Sequence, residues 1–327
     1  MKTAFRKLLL EWFSRARRDL PWRKTQDPYA IWLSEVMLQQ TRVATVLPYY
    51  SRFLERFPTA RDLAEAEEHD VLKLWSGLGY YSRARNLQKG ARMIAGGFPD
   101  TYEAIRALPG VGDYTAAAIA SIAHGLPYAA VDGNVLRVLA RVSGDPGDIG
   151  RSATRERLSA LASELIDRRR PGDFNQALME LGATVCTPRN PQCLLCPVVR
   201  LCHARKQGRE QELPVKLRPV RPERVYRTLY VIERHGELLF WQRAAGSKRL
   251  AGFWELPEPE HVPGASEGQE LGSFQHSIVN QRYQFRVVQA RASTVDRQLR
   301  WLSPTGIECL FSTTTRKALR VAGVPGH

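Results

Sequence analysis

Leu108-Pro109-Gly110-Val111-Gly112-Asp113-Tyr114-Thr115-Ala116 is a tight glycine turn that feeds directly into a helical run through Ala117, Ala118 and Ile119. Gly110 and Gly112 carry no Cβ, so the backbone can approach a ligand closely and present its N–H groups. A helix N-terminus adds further donors and a dipole that favours phosphate. The same string also suits an ordinary packing corner between two helices, and taken alone it leaves both readings open.

Downstream, Cys186, Cys193, Cys196 and Cys202 read C-x6-C-x2-C-x5-C within one short segment. Zinc sites usually carry two C-x2-C pairs, and here there is one, flanked by longer, unequal gaps. Iron–sulfur ligation by four cysteines suits irregular spacing. A single zinc ion and a pair of disulfides remain open alternatives, although clustering of this kind in a reducing compartment favours metal. The fifth cysteine, Cys309, stands far away and reads as a small buried hydrophobe.

The chain has 327 residues and a formal net charge of +15. That length accommodates about two domains, and that charge points to a polyanionic partner. No secretory signal is visible: only Leu8, Leu9 and Leu10 follow the basic start before Glu11 interrupts. No apolar run approaches the roughly 20 residues of a membrane helix. The expectation is a soluble protein with no membrane partner.

Residues 1–205 read as mostly helical, with helix-spaced apolar positions over Ile31–Tyr50, Tyr102–Leu108 and Tyr114–His124. From Arg205 to Arg227 the chain is basic and rich in proline, with Pro214, Pro219 and Pro222 among Lys206, Arg209, Lys216, Arg218 and Arg221. This predicts an extended, solvated linker over 206–224, either a tether or a strand of charge along a phosphate backbone. Residues 225–327 shift towards period two. Val225–Ile232 and Glu237–Gln242 read as strands around a His235–Gly236 turn, Gln281–Val288 as another strand, and Thr315–Val321 as a closing helix. The expected fold is multidomain: an all-α domain followed by a small α/β domain.

Two acidic residues carry candidate chemistry. Glu35, in Trp32-Leu33-Ser34-Glu35-Val36-Met37-Leu38-Gln39-Gln40-Thr41, shares a helix face with Ile31, Trp32, Leu38 and Gln39. A carboxyl in such surroundings loses hydration, its pKa rises, and it retains a proton for general-acid work. A surface glutamate on an amphipathic helix fits the same residues. Asp132, in Val131-Asp132-Gly133-Asn134-Val135, is placed to cap the helix over Leu136–Arg141. A carboxylate there is also placed to face a developing cation, and the two roles are compatible.

Together, the Glu35 segment, Gly77-Leu78-Gly79-Tyr80-Tyr81-Ser82-Arg83-Ala84, the glycine hairpin, Val131–Val135, the four cysteines and the trailing α/β half resemble the MutY family of adenine DNA glycosylases, over nearly the whole chain. The resemblance implies a helix–hairpin–helix glycosylase domain with a [4Fe-4S] cluster on Cys186, Cys193, Cys196 and Cys202, followed by a Nudix-like domain. It implies hydrolysis of the N-glycosidic bond of adenine mispaired with 8-oxoguanine or guanine in duplex DNA, after base flipping. The protein would act as a monomer in a bacterial cytoplasm. By the same resemblance Glu35 is the acid and Asp132 the carboxylate beside the sugar, with Tyr114 and Asn134 hydrogen-bonding around them. Arg23 and Glu180 would hold the flipped adenine, and Gln40, Thr41, Leu78 and Tyr80 would wedge into the duplex. Gly110 and Gly112 would anchor the phosphate backbone. Surface and core readings exist for Arg23, Glu180, Leu78 and Tyr80.

In the C-terminal half, Gly252-Phe253-Trp254-Glu255-Leu256-Pro257 matches an early landmark of the Nudix-like domain. The hydrolase signature of that fold does not follow, so no pyrophosphatase activity is expected. The family's recognition loop reads Phe-Ser-His, and this chain has Phe274-Gln275-His276 with Ser277 one step later. Gln275 offers an amide donor and acceptor to a lesion's Hoogsteen edge, or it weakens discrimination against guanine. Two competing functions remain. One is an endonuclease III-like pyrimidine glycosylase with lyase activity, which needs a lysine where this chain has Tyr114. The other is a non-catalytic iron–sulfur DNA-binding protein.

Overall fold

The structure, a computed structural model, describes residues 2–217, 224–244, 246–247, 250–278, 281–292, 298–304 and 310–325. Cys309 and the linker positions Arg218, Pro219, Arg221 and Pro222 lie outside the described residues. In chain order the helices are α1 (Lys2–Ala16), α2 (Pro28–Leu38), α3 (Val43–Arg56), α4 (Ala60–Glu65), α5 (Glu68–Trp75), α6 (Ser82–Met93), α7 (Tyr102–Arg106), α8 (Asp113–His124), α9 (Gly133–Ser143), α10 (Ser152–Leu165), α11 (Pro171–Thr184) and α12 (His203–Lys206). Strands β1 (Arg224–Val231), β2 (Glu233–Arg234), β3 (Glu237–Gln242), β4 (Trp254–Glu255), β5 (Ser266–Ile278), β6 (Gln281–Arg291) and β7 (Leu299–Leu302) follow, then α13 (Thr313–Val321). The chain forms two compact units, Met1–Ala66 with Arg85–Arg218, and Glu67–Ala84 with Pro219–His327.

The first unit is helical. Helix α2 starts where Asp27 accepts hydrogen bonds from the Tyr29 and Ala30 amides ahead of Pro28, a side-chain cap joined to a proline that needs no donor. Its residues from Tyr29 to Met37 are all buried, so this helix is the centre of the unit rather than a surface element. It packs on α8, whose Ala116, Ala117, Ala118 and Ala120 are small enough to let the two axes approach. A second core joins α1, α9, α10 and α11 through Phe5, Leu9, Phe13, Leu139, Phe174 and Leu178.

Two sequence expectations change here. The periodic run over Ile31–Tyr50 is broken: α2 ends at Leu38, Gln40 adopts φ 57°, and α3 begins at Val43. Neither glycine nor proline marks that break, so pattern alone missed it. The basic stretch is also not solvated throughout. Leu213 is 1% exposed and the Ile149 amide donates to Val215 at 3.0 Å, so residues 209–215 fold back onto the helical unit.

The second unit holds two sheets. One has order β1-β6-β5, with β1 parallel and β5 antiparallel to β6. In the other, β3 pairs with β2, β4 and β7, all antiparallel. The predicted His235–Gly236 turn is present with φ of 55° and 81°. It connects β3 to the short β2 rather than to β1, because the chain turns after Val231. Helix α13 buries Ala318 and Leu319 with Leu229, Phe240 and Phe285. Phe274-Gln275-His276-Ser277, expected as a loop, lies instead on β5, paired with Phe285, Gln284, Tyr283 and Arg282. Its alternating apolar and polar side chains suit a strand with one covered face. Residues 67–84 belong to this unit, and Tyr81 packs on Phe253 with ring centroids 4.4 Å apart. No helix among the described residues is long and apolar enough to cross a membrane.

Candidate active site

A cavity of about 510 Å3 opens in the helical unit, and α2, α8, α9 and α11 each send side chains into it. That size falls within the usual range for a small-molecule or nucleoside site. Of the sequence-derived candidates, Arg23, Glu35, Gln40, Thr41, Tyr114, Asp132, Asn134 and Glu180 all line it.

Glu35 is 6% exposed, and its Oε2 has no hydrogen-bond partner. Burial pushes its carboxyl up to about 7; the Tyr114 hydroxyl, hydrogen-bonded to it, and the Arg23 cation pull down, while the Asp132 charge pushes further up. Near neutrality such a group holds a proton in part of the molecules, as a general acid requires. The Tyr114 hydroxyl also lies 3.1 Å from Met179 Sδ, and burial with the nearby Glu35 and Asp132 charges keeps it protonated.

Asp132 is both cap and site residue. Its Oδ1 accepts the Val135 amide at 2.8 Å, and its Oδ2 accepts Asn134 Nδ2 at 2.7 Å. The carboxylate therefore stands at the N-terminus of α9, where backbone donors favour negative charge. Behind it, Arg137 Nη2 donates to Asn134 Oδ1 and to the Gly182 carbonyl, both at 2.8 Å, and Arg137 Nε donates to the Cys186 carbonyl. Gly182 is needed there: a Cβ would sit 2.7 Å from Asn134 Cβ. The segment leading to Asp132 is pinned by buried Asn175, which accepts from the Ala130 amide and donates to the Tyr128 carbonyl and Ser121 Oγ.

Glu180 and Arg23 meet each other. Glu180 accepts from Arg23 Nη2 at 2.7 Å, from Arg18 Nε and Nη2 at 2.8 Å each, and from the Arg18 amide at 3.1 Å. Burial opposes ionisation, yet the two guanidinium partners hold the Glu180 carboxyl down to about 2. The pair forms an anionic clamp with both oxygens already occupied. Gln40 and Thr41 stand at the turn between α2 and α3, beside the cavity.

The remaining candidates lie elsewhere. Leu78 is buried at 6% exposure and Tyr80 is exposed at 47% with φ 48°, both in the second unit. Gly110 takes φ 75°, the left-handed region, and a Cβ there would meet Asn86 Nδ2 at 2.8 Å. Gly112 has ordinary backbone angles and open space beside it, so it caps α8 without needing to be glycine for room. Gln275 and Ser277 share the exposed face of β5, while Phe274 stacks on Phe285 with centroids 5.0 Å apart.

The four cysteines Cys186, Cys193, Cys196 and Cys202 are free thiols that line a second, small cavity. Burial pushes the Cys196 thiol up to about 12. Among the described residues no three His, Cys, Asp or Glu side chains gather as a single-ion site.

Arg18, Arg137, Arg141, Asn175 and Met179 were not found from sequence. Each acts across a long stretch of chain and belongs to no local motif.

With this geometry in hand, the relatives are informative. The family described as HhH-GPD superfamily base excision DNA repair protein matches residues 33–164. The adenine DNA glycosylase of Mus musculus is 37% identical, aligned over 98% of this chain and 78% of its own length. This chain belongs to the adenine DNA glycosylase family. The family member from Rattus norvegicus is 42% identical over 86% of this chain, which spans 64% of that protein. Among solved structures, a thermostable thymine-DNA glycosylase superposes with TM-score 0.56 at 32% identity, covering 63% of this chain and 97% of its own. Family membership thus agrees with the resemblance read from the motifs.

Proposed function

We propose that the protein is a monofunctional adenine DNA glycosylase. It would act as a monomer on duplex DNA and remove adenine paired with 8-oxoguanine or guanine. The observation that carries this reading is the pair Glu35 and Asp132 on one nucleoside-sized cavity, with Glu35 raised to about 7. The names of the relatives and the net charge of +15 support it.

In this mechanism an extruded adenosine enters the cavity, with the clamp of Glu180, Arg23 and Arg18 at its base edge. Glu35 delivers its proton to adenine N7, which turns the base into a neutral leaving group. The C1′–N9 bond breaks towards an oxocarbenium-like sugar, and the Asp132 carboxylate, oriented by Asn134 and the Val135 amide, stabilises that cation. Water then adds to C1′. No lysine lines the cavity among the described residues, so the reading favours hydrolysis over Schiff-base lyase chemistry.

The four cysteines are read as holding a [4Fe-4S] cluster. Thiols spread around one cavity suit a multi-atom cluster better than one tetrahedral ion, whose sulfurs lie about 2.3 Å from a common centre. Bound there, the cluster would supply a brace for the loop over residues 187–202. The C-terminal α/β unit is read as Nudix-like and as the part that meets the base opposite adenine, through Gln275 and Ser277 beside His276. Leu78, Tyr80, Gln40 and Thr41 are read as wedge residues and Gly110 and Gly112 as phosphate anchors. The compartment in this reading is a bacterial cytoplasm.

The deciding experiment is a single-turnover base-release assay on matched duplexes, adenine opposite 8-oxoguanine against adenine opposite guanine. Glu35→Gln should bind duplex and release no adenine. Undiminished release from that variant, or a borohydride-trapped adduct with the parent, would refute the reading. Gln275→Ser, run in parallel, should change the ratio between the two duplexes and leave Glu35 chemistry intact.

A further inference from the structure

Arg141 lies in α9 at 2% exposure, among the largest fully buried side chains of the protein. Its Nε donates to the Leu213 carbonyl at 2.7 Å, and its Nη1 donates to the Thr187 carbonyl at 2.7 Å and to Cys186 Sγ at 3.3 Å. Its own carbonyl accepts from Cys202 Sγ at 3.3 Å. Every partner of the guanidinium is thus a neutral carbonyl or a cysteine sulfur; among the described residues it forms no ion pair with Asp or Glu. Glu210 also lines the cysteine cavity, but its carboxylate is engaged by Arg205. A buried cation without a matching anion is costly, and arginine stays charged in the interior.

We propose that Arg141 is the buried counter-cation of the four-cysteine site, stabilising its loaded, anionic form through charge and through the Nη1–H contact to Cys186 Sγ. The inference rests on the reading that Cys186, Cys193, Cys196 and Cys202 hold a cluster. Four thiolates carry more negative charge than an all-ferrous or ferric-mixed core returns, so the loaded site is a net anion. The guanidinium is then matched at the one place in the unit where no carboxylate meets it. Hydrogen bonds to ligand sulfur also withdraw electron density and tune such sites. Arg141 touches ligands and loop rather than DNA, and it is a positioning residue.

A purely mechanical role is the competing account: the fork would brace residues 187 and 213, whatever the charge of the site. Two variants of the full chain separate them. Arg141→Gln keeps amide donors without charge, and Arg141→Lys keeps charge without the planar fork. The readouts are iron and sulfide content, charge-transfer absorbance, and the rate of bleaching by a chelator. A parent without iron and sulfide sinks the cluster reading itself; a loaded parent makes the variants a test of Arg141 alone. Arg141→Lys should load and bleach like the parent, while Arg141→Gln should lose iron about tenfold faster or more. Equal behaviour of the two variants, whether both retain or both lose iron, overturns the proposal. Should Arg141→Gln fail to fold by circular dichroism, Arg141→Lys decides alone: parent-like retention supports the proposal, and loss of iron or fold overturns it.

Discussion

Asn134 faces Asp132 and Arg137 at once, giving its amide to the Asp132 Oδ2 at 2.7 Å and taking Arg137 Nη2 on its carbonyl oxygen at 2.8 Å. The amide orientation is therefore fixed from behind, and Asp132 keeps one side-chain donor that no backbone group replaces. Asn134→Ala should leave duplex binding intact and slow base release roughly ten- to hundredfold, the value of one hydrogen bond to a charged group. Single-turnover rates beside equilibrium binding check this; a rate equal to the parent's would remove Asn134 from the chemistry.

Glu35 predicts a pH profile with a definite sign. Its carboxyl is raised from 4.5 to about 7, so the active, protonated form disappears as pH climbs through about 7. Base release should fall about tenfold per further pH unit. Stability follows the same direction: the folded state prefers protonated Glu35, and this advantage, on the order of 3 kcal/mol, is present below about 4.5 and lost as pH rises to about 7. Glu35→Gln should thus gain thermal stability relative to the parent on the alkaline side only.

The Glu180 clamp has the opposite sign. Its carboxyl is held down to about 2, so its contribution is present above about 4.5 and is lost as pH falls towards 2. Glu180→Ala strands two guanidinium groups and should cost about 3 kcal/mol or more in urea unfolding. Arg18→Ala should cost distinctly less, because its side chain is 40% exposed and Arg23 still pairs.

The two hairpin glycines should behave differently. Gly110→Ala forces a side chain into φ 75° and against Asn86, and should destabilise the unit by about 1–2 kcal/mol. Gly112→Ala meets open space at an ordinary φ and should be nearly neutral for stability. Thermal melts of both variants, with duplex binding alongside, test the contrast.

Much of the site was legible because each piece carries its own local signal. Asp132 before a helical run reads as a cap, the Gly110 turn reads as a turn, and Glu35 amid Trp32 and Leu38 reads as a desolvated acid. Their convergence on one cavity came only from the packing of α2 on α8 and of α9 on α11. Residues that act through distant carbonyls, Arg137 and Arg141 above all, look like surface cations in any helical pattern. The break at Gln40 was hidden because a non-glycine residue took the left-handed angle. The Phe274–Ser277 stretch was taken for a loop from the resemblance, although its alternation already suited a strand with Phe274 inward.

Residues 67–84 are encoded early yet settle with a partner made late. During synthesis Tyr81 must wait for Phe253, more than half the chain further on, before its ring finds cover. A nascent or truncated chain stopping near residue 217 therefore carries an aromatic face intended for something absent. Such a fragment should recruit chaperones or self-associate, where the intact chain stays dispersed, and light scattering of the two side by side would show it.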